Sequence, residues 1–329
     1  MILIKKNMKK ITKKGMQFSW IFAVIVGAII LFLAFYFIGS QLSTSKLEEK
    51  TVETNSLEIL FNPFSYLGAM GAVTAKPIEI PQESFLMFEC ESVSSNGLGS
   101  DIITLSSLNL QDQGLPKYIY DKYIFAEDFE AKKTDGKYPK LQTLSKPFLM
   151  PWRVADLIFV YPNSKKYCFT GNIPSRLQEE LEFLEITNLR LDSCEPEDIE
   201  VCFGSSRGDI NVESYSGDFM IGSVRKNSDE LFFAGENYAL MLAAIFSSEE
   251  VYNCNLKRLA ARIDLEIDIF NKKKQALSEK GCSSFVNFER LRQAATDLRM
   301  RINQDSIREF YNAAESVKSS NENSECHIF

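Results

Sequence analysis

Histidine is nearly missing from this chain: His327 is the single copy among 329 residues. Catalytic triads, imidazole general bases and most zinc sites draw on that side chain, so those chemistries lose their usual donor. No C-x-x-C, H-E-x-x-H, G-x-G-x-x-G or P-loop pattern occurs. The signatures of zinc ribbons, metalloproteases, dinucleotide-binding units and P-loop nucleotide sites are therefore absent, and the residues point to no cofactor and no metal. Glu127, Asp128 and Glu130 lack the D-x-D-x-D-G order of a calcium loop and read as a solvated loop. Basic residues are also short, 37 against 44 acidic, for a formal net charge of −7. Setting aside six N-terminal lysines leaves 31 against 44, or −13 for the remainder. Such a surface repels a phosphate backbone, which excludes nucleic acid as a partner.

What is present begins with those lysines, at positions 5, 6, 9, 10, 13 and 14, in the segment 1–17. An uncharged run of 21 residues follows, from Phe18 to Ile38. At about 1.5 Å per residue it spans the roughly 30 Å of a bilayer's hydrocarbon, so 18–38 is expected to be a transmembrane helix with lipid as its partner. Lysines crowd only its N-terminal flank, which places Met1 in the cytoplasm and the bulk of the chain outside. The core is longer than that of a removable signal and ends in Phe35-Tyr36-Phe37-Ile38, so an uncleaved signal anchor is expected.

Seven cysteines, at 90, 168, 194, 202, 254, 282 and 326, fall on the expected exterior side, where disulfides persist. At least two bridges are expected, with the odd count leaving a thiol over. Some 25 helical residues would hold Cys254 and Cys282 about 40 Å apart, too far to bond. In a helical hairpin Cys326 folds back toward Cys254, which suggests that pair. Cys194 and Cys202 flank Glu-Pro-Glu-Asp as possible closers of a short loop, and Cys90, Cys168 and Cys202 also suit buried thiols.

The expected fold class is α+β, with the transmembrane helix, an antiparallel or mixed β-rich middle, and a long antiparallel helical hairpin at the C-terminus. Residues 39–75 read as a stalk or linker. Residues 76–234 carry short β-type runs broken by Gly, Ser, Asn and Asp, at Phe85–Glu91, Ile102–Leu105, Tyr118–Phe125, Asp156–Tyr161, Tyr167–Thr170, Asp198–Phe203, Phe219–Val224 and Glu230–Phe233. A short helix is expected over 175–186, opened by a capping box at Ser175 and Gln178. Residues 235–318 switch to helical periodicity: a short apolar helix, a long one capped at Ser247 and running to about Glu279, and a second long one from about Phe285 to Lys318. A polar tail, 319–329, closes the chain.

Three motifs have chemical readings. Gly204-Ser-Ser206-Arg-Gly208 matches the nucleophile-elbow pattern G-x-S-x-G and precedes His327, but an extended segment follows where the elbow needs a helix, so a turn is the better reading. Arg207-Gly208-Asp209 spells an adhesion tripeptide and likewise reads as a turn. The aromatic run Tyr118 to Phe125 suits a packed strand more than a ligand platform. No catalytic residue emerges; paired carboxylates, as in glycosidases, are the remaining enzyme chemistry.

Lys13-Lys-Gly15-Met-Gln-Phe18, directly before the apolar helix, resembles the cleavage region of archaeal type IV pilin-like precursors, which are cut after the glycine. Trp20 stands where many pilins carry Glu. Asp121-Lys-Tyr-Ile-Phe-Ala, Lys146-Pro-Phe, Ala155-Asp-Leu, Tyr252-Asn-Cys-Asn and Arg258-Leu resemble uncharacterised membrane-anchored proteins of archaea. The resemblance implies a family and no activity. The function expected is a membrane-anchored extracytoplasmic structural or interaction protein, with a pilin-like surface component as its sharper form. An exported carboxylate-based hydrolase and an accessory subunit of a membrane complex are the alternatives.

Overall fold

The run Asp156-Leu-Ile-Phe-Val-Tyr161 is apolar at successive positions, and a strand of that kind needs cover on both faces of its sheet. In the computed structural model, which describes residues 22–33, 35–36, 74–80, 82–93, 97–110, 114–133, 136–184, 186, 188–204 and 207–329, it obtains that cover. It forms part of β8 (Arg153–Pro162), which lies in a four-stranded sheet ordered β1 (Thr74–Glu79), β7 (Lys140–Leu149), β8, β5 (Tyr123–Ala126). β7 is antiparallel to β1 and to β8, while β5 is parallel to β8.

The strand period of two splits this sheet between two cores. Tyr123, Phe125, Leu157 and Phe159 enter the larger core, and Ile124, Ile158 and Val160 the smaller. The smaller core is closed by an antiparallel sheet ordered β4 (Lys117–Ile119), β3 (Ser100–Ser106), β2 (Ser84–Glu91), β6 (Phe129–Ala131), through Leu86, Phe88, Ile103 and Leu105. The larger core is shared with a mixed six-stranded sheet ordered β10 (Leu189–Leu191), β9 (Tyr167–Gly171), β11 (Ile199–Phe203), β12 (Ile210–Ser214), β13 (Ile221–Lys226), β14 (Asp229–Ala234). A short helix, α1 (Ser175–Phe183), joins β9 to β10. Helix α2 (Ala239–Phe246) buries all eight of its residues and packs on β8 and β14, as a helix apolar on every side must. Stacked and edge-on rings of Tyr161, Tyr167 and Phe246 fill the space between these elements.

The fold class is thus α+β with mixed and antiparallel sheets and a C-terminal helical region, and several finer expectations are corrected. Tyr118–Phe125 is not one strand: Asp121, at φ 56°, turns the chain so that β4 and β5 lie in different sheets. The helix at 175 has no capping box, because Pro174 occupies the cap position and accepts the Gln178 N–H through its carbonyl. Helix α3 (Glu249–Glu279) is capped by Ser248, which accepts the Val251 N–H, while the Ser247 hydroxyl donates back to the Ala243 carbonyl. The expected second long helix is two: α4 (Glu289–Met300) and α5 (Gln304–Glu322). Arg301 is extended, and Asn303 with Ser306 forms a full capping box that starts α5 afresh.

That break redirects the disulfides. Helix α4 runs back along α3, with Arg292 paired to Asp264 at 3.3 Å, and α5 then turns back along α4. The end of α5 therefore returns to the end of α3, and Cys326 bonds Cys282 (Cα separation 5.9 Å). Cys254 instead bonds Cys90 (6.0 Å), tying α3 to β2. Cys194 bonds Cys168 (5.4 Å), and Cys202 is the buried free thiol. Residues after α5 are docked: Ile328 is buried, its N–H donates to Asn321 Oδ1, and Phe329 joins Phe270 and Trp152 in a ring cluster.

The chain divides into two units, Met1–Glu49 and Lys50–Phe329. In the first, residues 22–33 and 35–36 are helical, and the remainder of the Phe18 to Ile38 run lies outside the described residues, as do the pilin-like cleavage region and the segment 39–73. No helix among the described residues is long and apolar enough to cross a membrane.

Candidate functional site

One face of α3 carries Asn255, Arg258, Arg262 and Glu266, at spacings of three, four and four residues, which stack on one side of a helix. The first two are buried beneath the start of β5. Arg258, 1% exposed, donates to Asp101 Oδ2 at 2.8 Å, to the Leu98 carbonyl at 3.0 Å and to the Lys122 carbonyl at 3.1 Å, and lies 4.8 Å from the Tyr123 ring centroid. Asp101 accepts the Ile124 N–H at 3.0 Å on the same oxygen, and Asn255 Nδ2 at 2.8 Å on the other. Every charge and most lone pairs in this cluster are matched, the condition for a buried ion pair to be tolerated.

The next turn of α3 reaches the surface. Arg262, Leu265 and Glu266 form one wall of an open cleft of about 680 Å³, whose other walls are Leu98, Asp121 and Lys122 before β5, and Arg153 to Asp156 on β8. Asp121 and Lys122 are held out by the left-handed turn that separates β4 from β5. Arg153 grips both oxygens of Asp156, at 2.6 and 2.7 Å, and Arg262 pairs with Glu266 at 2.9 Å. Glu266 also accepts the indole N–H of Trp152, so the cleft wall is anchored in the ring cluster. Burial holds the Lys122 ammonium below its ordinary value against Asp156 and Asp121, which raise it. Burial likewise raises the Tyr123 phenol, against the nearby Arg262 and Arg258 charges.

Chemically the cleft is balanced: three cations face three carboxylates. Gathering Asp121, Asp156 and Glu266 meets the first requirement of carboxylate catalysis, yet Asp156 and Glu266 are each neutralised by an arginine, whereas a general acid needs surroundings that hold its proton. Leu265 (55% exposed), with the half-buried Leu98 on the facing wall, adds an apolar patch among the charges. An apolar centre within a charged border is the anatomy of a protein-docking surface.

The motifs singled out in the sequence lie elsewhere. Gly204 directly follows β11 and Ser206 lies outside the described residues, but β12 comes next where an elbow requires a helix, and His327 is exposed. In the Arg207-Gly208-Asp209 turn, Asp209 accepts the Glu200 N–H at 2.9 Å and the Gly208 N–H donates to Asn211 Oδ1 at 3.1 Å, a structural use of all but Arg207. The acidic loop is not simply solvated. Glu127 pairs with Lys226 at 2.8 Å and Lys165 at 2.9 Å, and Asp128 accepts the Phe88 N–H at 2.7 Å. No group of three or more His, Cys, Asp and Glu residues able to hold a metal occurs among the described residues. Sequence reading missed the cleft, although Asp121-Lys122 and Ala155-Asp156, quoted above for their resemblance, line it, and Asn255 and Arg258 are buried below. No protein-family model, curated protein or solved structure matches the chain.

Proposed function

We propose that this chain is a single-pass membrane-anchored protein whose body works outside the cytosol as an interaction module. The observation that carries the reading is the set of three cysteine pairs at bonding distance, which accounts for six of the seven cysteines. Bonds of this kind persist in oxidising compartments and are rare in the cytosol. In this reading the run Phe18 to Ile38 crosses the bilayer, the N-terminal lysines stay inside, and the cleft beside α3 receives a partner protein whose apolar residue seats against Leu265 between opposing charges. The sharper form is a pilin-like component cut after Gly15, so that the mature chain begins at Met16. An impermeant amine-reactive biotin tests the topology. Applied to whole cells, it is expected to label body lysines such as Lys272 and to spare Lys5 to Lys14; body lysines that react only after lysis would overturn the proposal. N-terminal sequencing decides the sharper form, since an intact Lys5 to Gly15 segment rules out the cut.

A further inference from the structure

Four lysines, at 132, 133, 137 and 140, stand on the connection from β6 into β7, in a chain remainder that is otherwise strongly acidic. Lys132, Lys137 and Lys140 line a cleft of about 320 Å³ together with Tyr138, Gln142 and Asn163. That volume falls within the roughly 300–1,000 Å³ of small-molecule sites. Strand geometry builds its floor. Lys140 and Gln142 alternate along one face of β7, and Gln142 Nε2 donates to Asn163 Oδ1 at 2.7 Å. Gln142 Oε1 and Asn163 Nδ2 are left without partners among the described residues. Lys140 is steadied by Glu79 at 2.9 Å and Lys132 by Glu130, and each ammonium retains further N–H donors. Tyr138 presents a ring that is 57% exposed, with the Lys133 ammonium 5.8 Å from its centroid. A second hollow of about 490 Å³ shares Lys132, Pro162 and Ser164 with the first and continues to Lys165, but Asp128 and Glu130 balance its two lysines, so the cationic track is the first cleft.

We propose that this track binds an acidic saccharide. The lysines take its carboxylates, the Gln142 and Asn163 amides take its hydroxyls, and Tyr138 stacks on a sugar face. Charge spacing discriminates among polyanions. Duplex DNA carries one charge per about 1.7 Å and would project most of them beyond the track, into the field of the acidic body. An acidic sugar chain carries one charge per residue, with hydroxyls between. Amide side chains and an aromatic plane match that alternation, whereas they have no specific use for a lipid phosphate.

The test is calorimetric titration of the detergent-solubilised full chain with a galacturonate trimer, against maltotriose, inorganic phosphate and nanodiscs containing phosphatidylglycerol. The trimer is expected to bind and maltotriose not to. Lys137→Glu should weaken binding about tenfold or more, the worth of one charge-assisted contact. Tyr138→Ala should weaken it less, and Lys272→Glu, an equal charge change on α3, should leave it unchanged. Absence of trimer binding, equal binding of maltotriose, an equal loss in Lys272→Glu, or preference for phosphate or for the nanodiscs would each overturn the assignment. The titration reads the purified protein and is independent of which side of a membrane the body occupies.

Discussion

Replacing Asp101 by Asn is the sharpest test of the cluster under the cleft, because the side chain keeps its shape while both of its oxygens are already committed. Oδ2 accepts from Ile124 N–H and Arg258, and Oδ1 accepts from Asn255 Nδ2. An asparagine has one acceptor end. In one orientation its NH₂ meets the Asn255 amide, and in the other it meets Ile124 N–H and the guanidinium, so donor faces donor either way. The Arg258 charge, 1% exposed, also loses its counter-ion. Breaking a buried pair on one side costs about 3–5 kcal/mol. For a body spanning Lys50–Phe329, at about 2.1 cal/mol/K of unfolding entropy per residue, that lowers the melting midpoint by about 5 to 9 °C. Denaturant unfolding followed by far-ultraviolet circular dichroism, with the disulfides intact, measures the loss directly. The double variant Asp101→Asn, Arg258→Met removes the orphaned charge and should be less destabilised than the sum of the two single variants. A loss below about 1 kcal/mol for Asp101→Asn would refute the claim that this ion pair organises the junction of β3, β5 and α3.

Three further outcomes follow from the packing and the bridges. Burial alone would raise the Glu127 carboxyl, but the Lys226 and Lys165 charges outweigh it and hold it below its ordinary value. A depressed folded value adds stability that is present above the unfolded value near 4.5 and is lost as pH falls through the folded one. Glu127→Gln should therefore destabilise most at neutral pH, with its difference from wild type shrinking below pH 4.5 in acid unfolding; a constant difference would refute the pairing. Opening the Cys282–Cys326 bridge, which closes a separation of 44 residues, by Cys326→Ser should cost about 4 kcal/mol on the chain-entropy scale, read by denaturant midpoint against wild type. Non-reducing peptide maps should recover Cys282 with Cys326 in wild type, and recovery of Cys254 with Cys326 would contradict the turn at Asn303.

The β-rich middle and helical end were legible because their patterns are local: the doubly apolar run at β8, the periodicity of α3 and the apolar helix α2. Strand β7 was not, since Lys146-Pro147 reads as a break. In the fold Lys146 is buried against Glu180, and the Pro147 carbonyl accepts from Asn237, partners 34 and 90 residues away. The break between α4 and α5 was visible in principle as Asn303 followed three residues later by Ser306, yet the apolar stripe through Ile302 masked it. The partner of Cys326 depended on that one turn. The cleft was illegible because its walls come from the turn at Asp121, from β8 and from α3, and no spacing along the chain reports that they meet.

The Cys90–Cys254 bond joins positions 164 residues apart. At roughly 5–20 residues per second, the ribosome delivers the second sulfur on the order of ten seconds or more after the first. Through that interval the earliest sheet lacks its crosslink and the buried partners Asn255 and Arg258, so the first part of the body to be synthesised is among the last to be secured.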